Sequence, residues 1–401
     1  MDDLALWAFS GAMSLTGRAD GPPMAAPGRP AAAVATALAR IAAVHPEAAL
    51  PDVRLLGERA AATGLGRNAP ASCGGTFRTV ATSDGTLGLS LARDSDLALV
   101  PALVEGSVSD RDPWSAIATW ASAAPSAEVE ARVRLLGLPG QVWLADRDAV
   151  HERPGVSPTP GVTRPTRERP LVVDFSSLWA GPLCAHLLGR CGAQVVKVES
   201  RTRPDGARRG ARRFYDLMHA GHRSISVDFD DPGQIGRLRD LVARADLVIE
   251  ASRPRALARL GLDADELVAG GVSWLSITAR GRDIDAVGFG DDVAFGAGLH
   301  TPEHWTVGDA LADPLTGVTA AAAAVELLVG PTSALLDVSM HDVCREVARA
   351  PVSPHTVECR EGRWVVVTAD GVVPVATPYC RPSAGSAPHL GRDNYALRMD
   401  A

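Results

Sequence analysis

The sequence predicts an α/β fold: a Rossmann-like core of parallel strands with a smaller α+β lobe. Three observations carry this. From residue 170 onward, short apolar runs alternate with helix-length segments, the pattern of a parallel sheet joined by right-handed crossovers. A stretch rich in Pro, Thr and Arg, residues 151–169, precedes the alternation and reads as a linker. The chain of 401 residues, 46% hydrophobic and 22% charged, is long enough for two domains. The expected division is a lobe over 1–150, the linker 151–169, a core over 170–345, and a C-terminal tail over 346–401 that returns to the lobes.

The elements follow in order. Pro30–Val44 is alanine-rich and begins on a proline, as a helix start tolerates. Thr76–Thr82 and Leu87–Leu91 read as strands around the turn Ser83-Asp-Gly85. Trp114–Ala123 and Ala127–Leu136 read as helices. In the core, Leu171–Phe175, Gln194–Glu199, Ser224–Phe229, Leu247–Glu250 and Val272–Thr278 are apolar enough for buried strands. Helices fall between them: Leu183–Arg190 after Gly181-Pro182, Pro232 to about Arg244 capped by Asp231, and a short one opened by Asp263-Ala-Asp-Glu266. No G-x-G-x-x-G follows the first strand, so a dinucleotide cofactor finds no support.

Charge and composition narrow the classes. A net charge of −7 gives no basic footprint for nucleic acid. Lys197 is the sole lysine, so anionic ligands must rely on arginine forks. Met1-Asp2-Asp3 does not begin a signal peptide, and the apolar run 317–330 carries Glu326 and is short for a bilayer; a cytoplasmic protein without a membrane partner is expected. The six cysteines form no C-x-x-C pair, and neither a structural metal nor a disulfide framework is expected. Cys184 and Cys191 flank a helix and read as packing residues.

One carboxylate stands out. In Ala310-Leu-Ala-Asp313-Pro-Leu-Thr-Gly317, Asp313 occupies an expected helix N-cap, with Pro314 in the first turn and Gly330 at the far end. There it should face free N–H groups and the positive end of the helix dipole, and stay anionic at neutral pH. An aspartate nucleophile and a plain cap share these properties, and the residues alone leave both open.

The segment Leu171-Val-Val-Asp174-Phe-Ser-Ser-Leu-Trp-Ala-Gly181-Pro182, followed by Gly189-Arg-Cys-Gly192-Ala-Gln-Val-Val-Lys197-Val-Glu199, resembles the opening βαβ unit of family III CoA-transferases. That group includes formyl-CoA transferase, carnitine CoA-transferase and alpha-methylacyl-CoA racemase. Similar pieces follow in order: His219-Ala-Gly-His222-Arg223-Ser-Ile-Ser-Val-Asp228, then Glu250-Ala-Ser-Arg253-Pro254 with Arg259-Leu-Gly261, then Gly290-Asp291-Asp292, then Asp313-Pro-Leu-Thr-Gly317. The resemblance spans about residues 168–345. It implies transfer of CoA from an acyl-CoA to an acceptor carboxylic acid, through an aspartyl anhydride and thioester on Asp313. It implies an acidic active-site residue at Asp291, and CoA contacts at Arg259, Arg201, Arg223, Arg253, Leu178 and Leu260. Coenzyme A thioester is then a substrate, with no permanently bound cofactor, and the resemblance implies a homodimer, whose interlocking of the family's kind the altered chain order leaves open. Asp309 is the alternative nucleophile; Asp313 is preferred because Gly317 follows it at the family's spacing.

The departures are informative. His222 stands at the family's lysine, and Trp179 at the catalytic glutamine of formyl-CoA transferase, where it either lines an acyl pocket or packs in the core. A racemase or epimerase of the same family is the runner-up, with His300 or His304 as a substitute base. A non-catalytic CoA-binding subunit is the other alternative. The N-terminal lobe carries family-like pieces out of order. Trp7-Ala-Phe-Ser-Gly-Ala-Met-Ser-Leu-Thr-Gly17 resembles a degenerate nucleophile segment, and Ser72-Cys-Gly74-Gly75 resembles the small domain's glycine loop, placing Gly74 and Gly75 at the reacting thioester.

Overall fold

A seven-stranded mixed sheet organises the chain in this computed structural model, which describes residues 3–109, 112–145, 153–252 and 255–399. Its strands are β4 (Val156–Thr163), β5 (Leu171–Asp174), β6 (Gln194–Ser200), β7 (Arg223–Val227), β8 (Leu247–Glu250), β9 (Ser273–Thr278) and β10 (Thr332–Ser339), in the order β4-β10-β9-β8-β5-β6-β7. The strands from β10 to β7 are parallel, as the alternation predicts. β4 is not: it runs antiparallel along β10. The supposed linker 151–169 therefore contributes an edge strand. Its Pro158 and Pro160 hid it, since proline survives in a sheet only at an edge, where an N–H need not be donated.

Helices cover both faces. α8 (Ala180–Arg190), α9 (Arg212–His219), α14 (Ala312–Val329) and α15 (Met340–Ala348) share one core with Val172, Leu247, Ile249, Leu275 and Ile277. α10 (Pro232–Val242), α11 (Arg255–Ala258) and α12 (Ala264–Ala269) share the other with Val173, Val248 and Trp274. Successive strand residues thus divide between the two cores, the two-residue period of a sheet buried on both sides. Asp231 and Asp263 cap α10 and α12 through the expected backbone N–H groups.

The N-terminal segment differs from expectation. α1 (Asp3–Phe9) and α2 (Pro30–Val44) belong to the first core, not to the small lobe. α2 turns Ala31, Val34, Ala37, Leu38 and Ile41 inward, against the alanine-rich α14. Alanine on both surfaces lets the two backbones approach closely. α14 is also longer than the apolar run suggested. Its 18 residues suffice in length and hydropathy to cross a membrane, yet 67% of them are buried, so it is the central core helix.

The small lobe is a three-stranded antiparallel sheet, β1 (Phe77–Ala81), β2 (Thr86–Ser90) and β3 (Gly140–Trp143). Around it lie α4 (Asp94–Ala98), α5 (Val100–Val104), α6 (Pro113–Ser122) and α7 (Ser126–Leu135), whereas α3 (Glu58–Thr63) packs beside α9 on the first core. Leu87, Leu89, Leu103, Ile117, Val129 and Val133 form its core. It docks on α13 (Gly290–Gly296) of the large unit. The rings of Phe77 and Phe295 lie 5.8 Å apart, and the Ser90 hydroxyl donates to Asp292 at 2.8 Å. A C-terminal meander, β11 (Thr356–Arg360), β12 (Arg363–Thr368) and β13 (Gly371–Pro374), follows α15. The chain then returns to β7, where Asp393 and Asn394 accept from the N–H groups of Ser224 and Ser226, both at about 2.8–2.9 Å. These bonds satisfy the outer edge of the sheet.

Candidate active site

Asp313 does not cap its helix. Leu311 is the N-cap, and Asp313 is the second residue of α14, with its N–H on the carbonyl of Ala310 at 2.9 Å. Ala310, at φ +45°, turns the chain into the helix two residues earlier than the sequence pattern suggested. The carboxylate instead reaches α13. A Cβ on Gly290 would stand 2.5 Å from its Oδ2, so glycine there makes room for it.

Two more carboxylates and one guanidinium surround it. Asp291 accepts from the Ala310 N–H at 3.0 Å, and the Ser72 hydroxyl lies near it. Asp309 is held by both nitrogens of a fork from Arg59, with Nε at 3.0 Å from Oδ2. The Arg59 guanidinium also lies over the Trp179 ring, 5.4 Å from its centroid. Burial pushes the Asp313 carboxyl up to about 7; Arg59 opposes this, Asp291 and Asp309 add to it, and the Ala180 N–H holds it down. Asp291 is raised to about 6, by burial and by Asp309. Asp313 is therefore not simply anionic at neutral pH, as a solvated cap would be. Withdrawal from water among like charges outweighs one guanidinium and one amide.

A cavity of about 360 Å³ opens beside Asp313. Its lining includes Ser177 and Leu178 after β5, Ala251 and Ser252 after β8, Thr278 and Ala279 at the end of β9, and Met340 after β10. β5 and β8 are neighbours from which the chain winds in opposite directions, so this is the crevice at the carboxyl ends of the strands where open α/β sheets take ligands. Phe289 and Arg93 complete the wall from α13 and the small lobe. Arg93, Arg255 and Arg282 all line it. Arg282 is oriented by Glu250 at 3.2 Å, and Arg93 by Asp96 at 2.7 Å while it stacks over Phe289. Glu250 is pushed up by burial, against the pull of Trp274 and Arg282.

The expected CoA contacts are only partly gathered here. Leu178 lines the cavity, at φ +68°. Arg259 is exposed in the turn after α11, and Leu260 packs in the second core; neither lines the cavity, although Arg255 one turn earlier does. Arg201 is exposed just past the carboxyl end of β6 and also lies outside the lining. Arg223 is at the wrong end of the sheet. It opens β7, opposite Val196 near the start of β6, because parallel strands put all their amino ends on one side. Arg253 lies outside the described residues.

Gly74 and Gly75 approach the site in their own chain. Ser72, just before them, lies near Asp291, and the Cys73 thiol lies 3.3 Å from the carbonyl of Gly308. Gly75 adopts φ +77°, and a Cβ at Gly74 would meet nothing within 4 Å, so this backbone is open to a ligand. Arg59, Ser72 and the Ala180 amide were not foreseen. Arg59 belongs to a six-residue helix 250 positions from Asp309, and no spacing links them.

The histidines lie elsewhere. His300 and His304 pack against Trp143, with ring centroids 4.7 and 4.8 Å away, and neither lines the cavity. Burial pushes His300 down. His222 is buried and pushed down to about 3, so it cannot serve as the cation that a lysine would be. Trp179 is buried edge-on to Phe214 at 5.3 Å, beneath Arg59, and does not line the cavity. Among the described residues, no group of three His, Cys, Asp or Glu is placed to hold a metal ion.

Comparison with known proteins supplies an independent view. The family model described as CoA-transferase family III matches residues 170–271. A succinyl-CoA–D-citramalate CoA-transferase of Chloroflexus aurantiacus is 30% identical over 131 residues, which cover 30% of this chain and 33% of the relative. A succinate–glutarate CoA-transferase of Agrobacterium fabrum is 32% identical over 120 residues, 26% of this chain and 30% of the relative. The chain thus spans about a third of the length of these curated relatives. A solved hypothetical protein of Mycobacterium tuberculosis is similar at 25% identity with a TM-score of 0.45, over 52% of this chain and 65% of that one.

Proposed function

We propose, for a chain whose residues 170–271 belong to CoA-transferase family III, that it transfers CoA from an acyl-CoA to a carboxylic acid, with Asp313 as the nucleophile. The observation that carries this reading is the place of Asp313. It lies beside a cavity at the carboxyl ends of the parallel strands, where arginines line the wall and the first residue of α8, Ala180, flanks it.

The chemistry follows from that setting. The ionised Asp313 attacks the thioester carbonyl, forming a mixed anhydride and expelling CoA thiolate. The thiolate attacks the aspartyl carbonyl, which releases the first acid and leaves an aspartyl-CoA thioester. The acceptor carboxylate attacks that thioester, and the returning thiolate takes up the new acyl group and frees Asp313. No base is needed, because the attacking groups are already anions. Position and charge are what the protein must supply. A carboxylate with a pKa near 7 is more basic than a solvated one and still largely ionised above neutrality. Arg59 limits the cost of placing three carboxylates together. The Gly75 N–H is taken by the Ser72 carbonyl at 2.8 Å, which leaves the Gly74 N–H to face the oxyanion that develops at each attack.

Arg93, Arg255 and Arg282 are the groups we assign to the anionic parts of the CoA thioester. The packing of His300 and His304 against Trp143 weighs against a racemase, which needs a second acid–base group facing Asp313. Interlocked subunits are not required to assemble this site, since the small lobe reaches Asp291 within one chain.

The test is a transfer assay, with a panel of acyl-CoA donors and carboxylic acid acceptors analysed by mass spectrometry. The purified protein should yield new acyl-CoA for at least one pair, and Asp313→Asn should yield none. Tight CoA binding without exchange for any pair would mark a non-catalytic binding subunit. Exchange of the α-hydrogen without CoA transfer would mark a racemase.

A further inference from the structure

Lys197 and Asp205 are buried away from the cavity, and nothing in the transfer chemistry uses them. Lys197 is 1% exposed and Asp205 5%. A buried ion pair is weak evidence for stability, because desolvating both charges offsets most of their attraction. The retention of the chain's sole lysine at such a place therefore asks what the pair holds.

It holds the loop between β5 and α8. Lys197 Nζ donates to the carbonyl of Ser176 at 2.7 Å and pairs with Asp205 Oδ2 at 3.1 Å. The other oxygen of Asp205 accepts from the Leu178 N–H at 3.1 Å and from Ala207 at 2.9 Å. Asp174 fixes Ser176 through its N–H, at 2.8 Å, and its hydroxyl. Leu178 sits at φ +68°, a conformation that a leucine avoids unless its surroundings enforce it. Two residues later, α8 begins at Ala180, which lines the cavity together with Asp313 and whose N–H lies near that carboxylate. Ala180 is also pressed against α14, for a Cβ on Gly317 would fall 2.6 Å from its carbonyl oxygen.

We infer that Lys197 and Asp205 are positioning residues for Asp313, which act by fixing the Ser176–Trp179 loop so that the Ala180 N–H and the Trp179 ring under Arg59 stay beside the carboxylate. This rests on the reading of Asp313 as the nucleophile, but the placement of the amide does not. The other groups that act on Asp313 are Arg59 from α3, Asp291 from α13, Asp309 from the preceding loop and Cys344 from α15. Arg59 lies over the Trp179 ring of this loop, so a change in the loop disturbs both the amide and the guanidinium, and each disturbance raises the Asp313 carboxyl.

Two substitutions at Asp205 separate positioning from mere folding. Asp205→Asn keeps an acceptor for Leu178. Asp205→Ser keeps a capping oxygen for Ala207 but is one bond too short for Leu178 and Lys197. The readout is carbodiimide labelling of Asp313 against pH by peptide mass spectrometry, which reports its protonation without needing turnover. Steady-state kinetics accompany it. Asp205→Ser should move the Asp313 midpoint up by at least half a unit and lower kcat at least fivefold, with KM for acyl-CoA changed less than threefold. Asp205→Asn should stay near the wild type in both. Lys197→Met, similar in length and apolar, should move the midpoint in the same direction and decides the matter if the serine variant does not fold. An unmoved midpoint in any folded Asp205→Ser or Lys197→Met protein overturns the inference. A shifted midpoint in a protein that transfers no CoA would keep the positioning and remove the transferase reading.

Discussion

Gly290 and Asp313 stand so close that any side chain on the first must displace the carboxylate of the second. A Cβ on Gly290 would lie 2.5 Å from Asp313 Oδ2 and 2.3 Å from the Ala310 carbonyl oxygen. Gly290→Ala should therefore lower kcat more than tenfold. It should also cost about 1–3 kcal/mol of stability, as overpacking of a tight contact does. Kinetics and chemical denaturation check this together. Unchanged kcat would mean that the Asp313 carboxylate has no required position.

Asp313 sets the pH dependence. With its carboxyl raised to about 7, kcat/KM should climb as pH rises through that value, because only the anion attacks. Arg59 favours the anion, so Arg59→Met should move the acid limb to higher pH. A limb at pH 4 in the wild type, or a downward move in the variant, would contradict the site described here.

Asp292 gives a stability test independent of activity. It accepts from Ser90 and from the Phe289 N–H, yet its other oxygen is buried without a partner, and burial raises it to about 8. Its folded pKa lies above the unfolded value near 3.8. The protonated form therefore stabilises the fold fully below about pH 4, and that contribution is lost as pH rises toward 8. Asp292→Asn keeps the accepting oxygen and cannot ionise. Its melting temperature should exceed that of the wild type at pH 9, with the gap closing toward pH 4.

The repeating part of the fold was legible because buried parallel strands are continuous apolar runs, and Leu247–Glu250 needs no partner to announce itself. β4 was not, since its prolines look like a linker until an edge position explains them. Asp313 could be picked out by its local pattern, but its ionisation could not. That depends on Arg59 and Asp309, brought together across 250 residues by the docking of the N-terminal helices on the core. The arginines failed for a similar reason. Proximity to a strand in sequence says nothing about which end of the sheet a residue occupies, and Arg223 lies at the end away from the cavity.

Substitution should reveal that difference. Arg255→Ala and Arg282→Ala each remove a guanidinium from the cavity wall and should raise KM for acyl-CoA about tenfold, the scale of a charge-assisted hydrogen bond at a partly solvated site. Arg223→Ala should leave KM within twofold. Michaelis constants for the three proteins with one donor suffice, and a large effect at Arg223 alone would displace the ligand from this cavity.

The central claim is that Asp313 becomes covalently acylated. The most direct measurement is the mass of the intact protein after mixing with an acyl-CoA that supports transfer, in the absence of acceptor, followed by hydroxylamine and peptide mapping. The account predicts an adduct on the wild type, its conversion to a hydroxamate on the peptide that carries Asp313, and no adduct on Asp313→Asn. A hydroxamate on Asp309 or Asp291, or an equal adduct on Asp313→Asn, would contradict it.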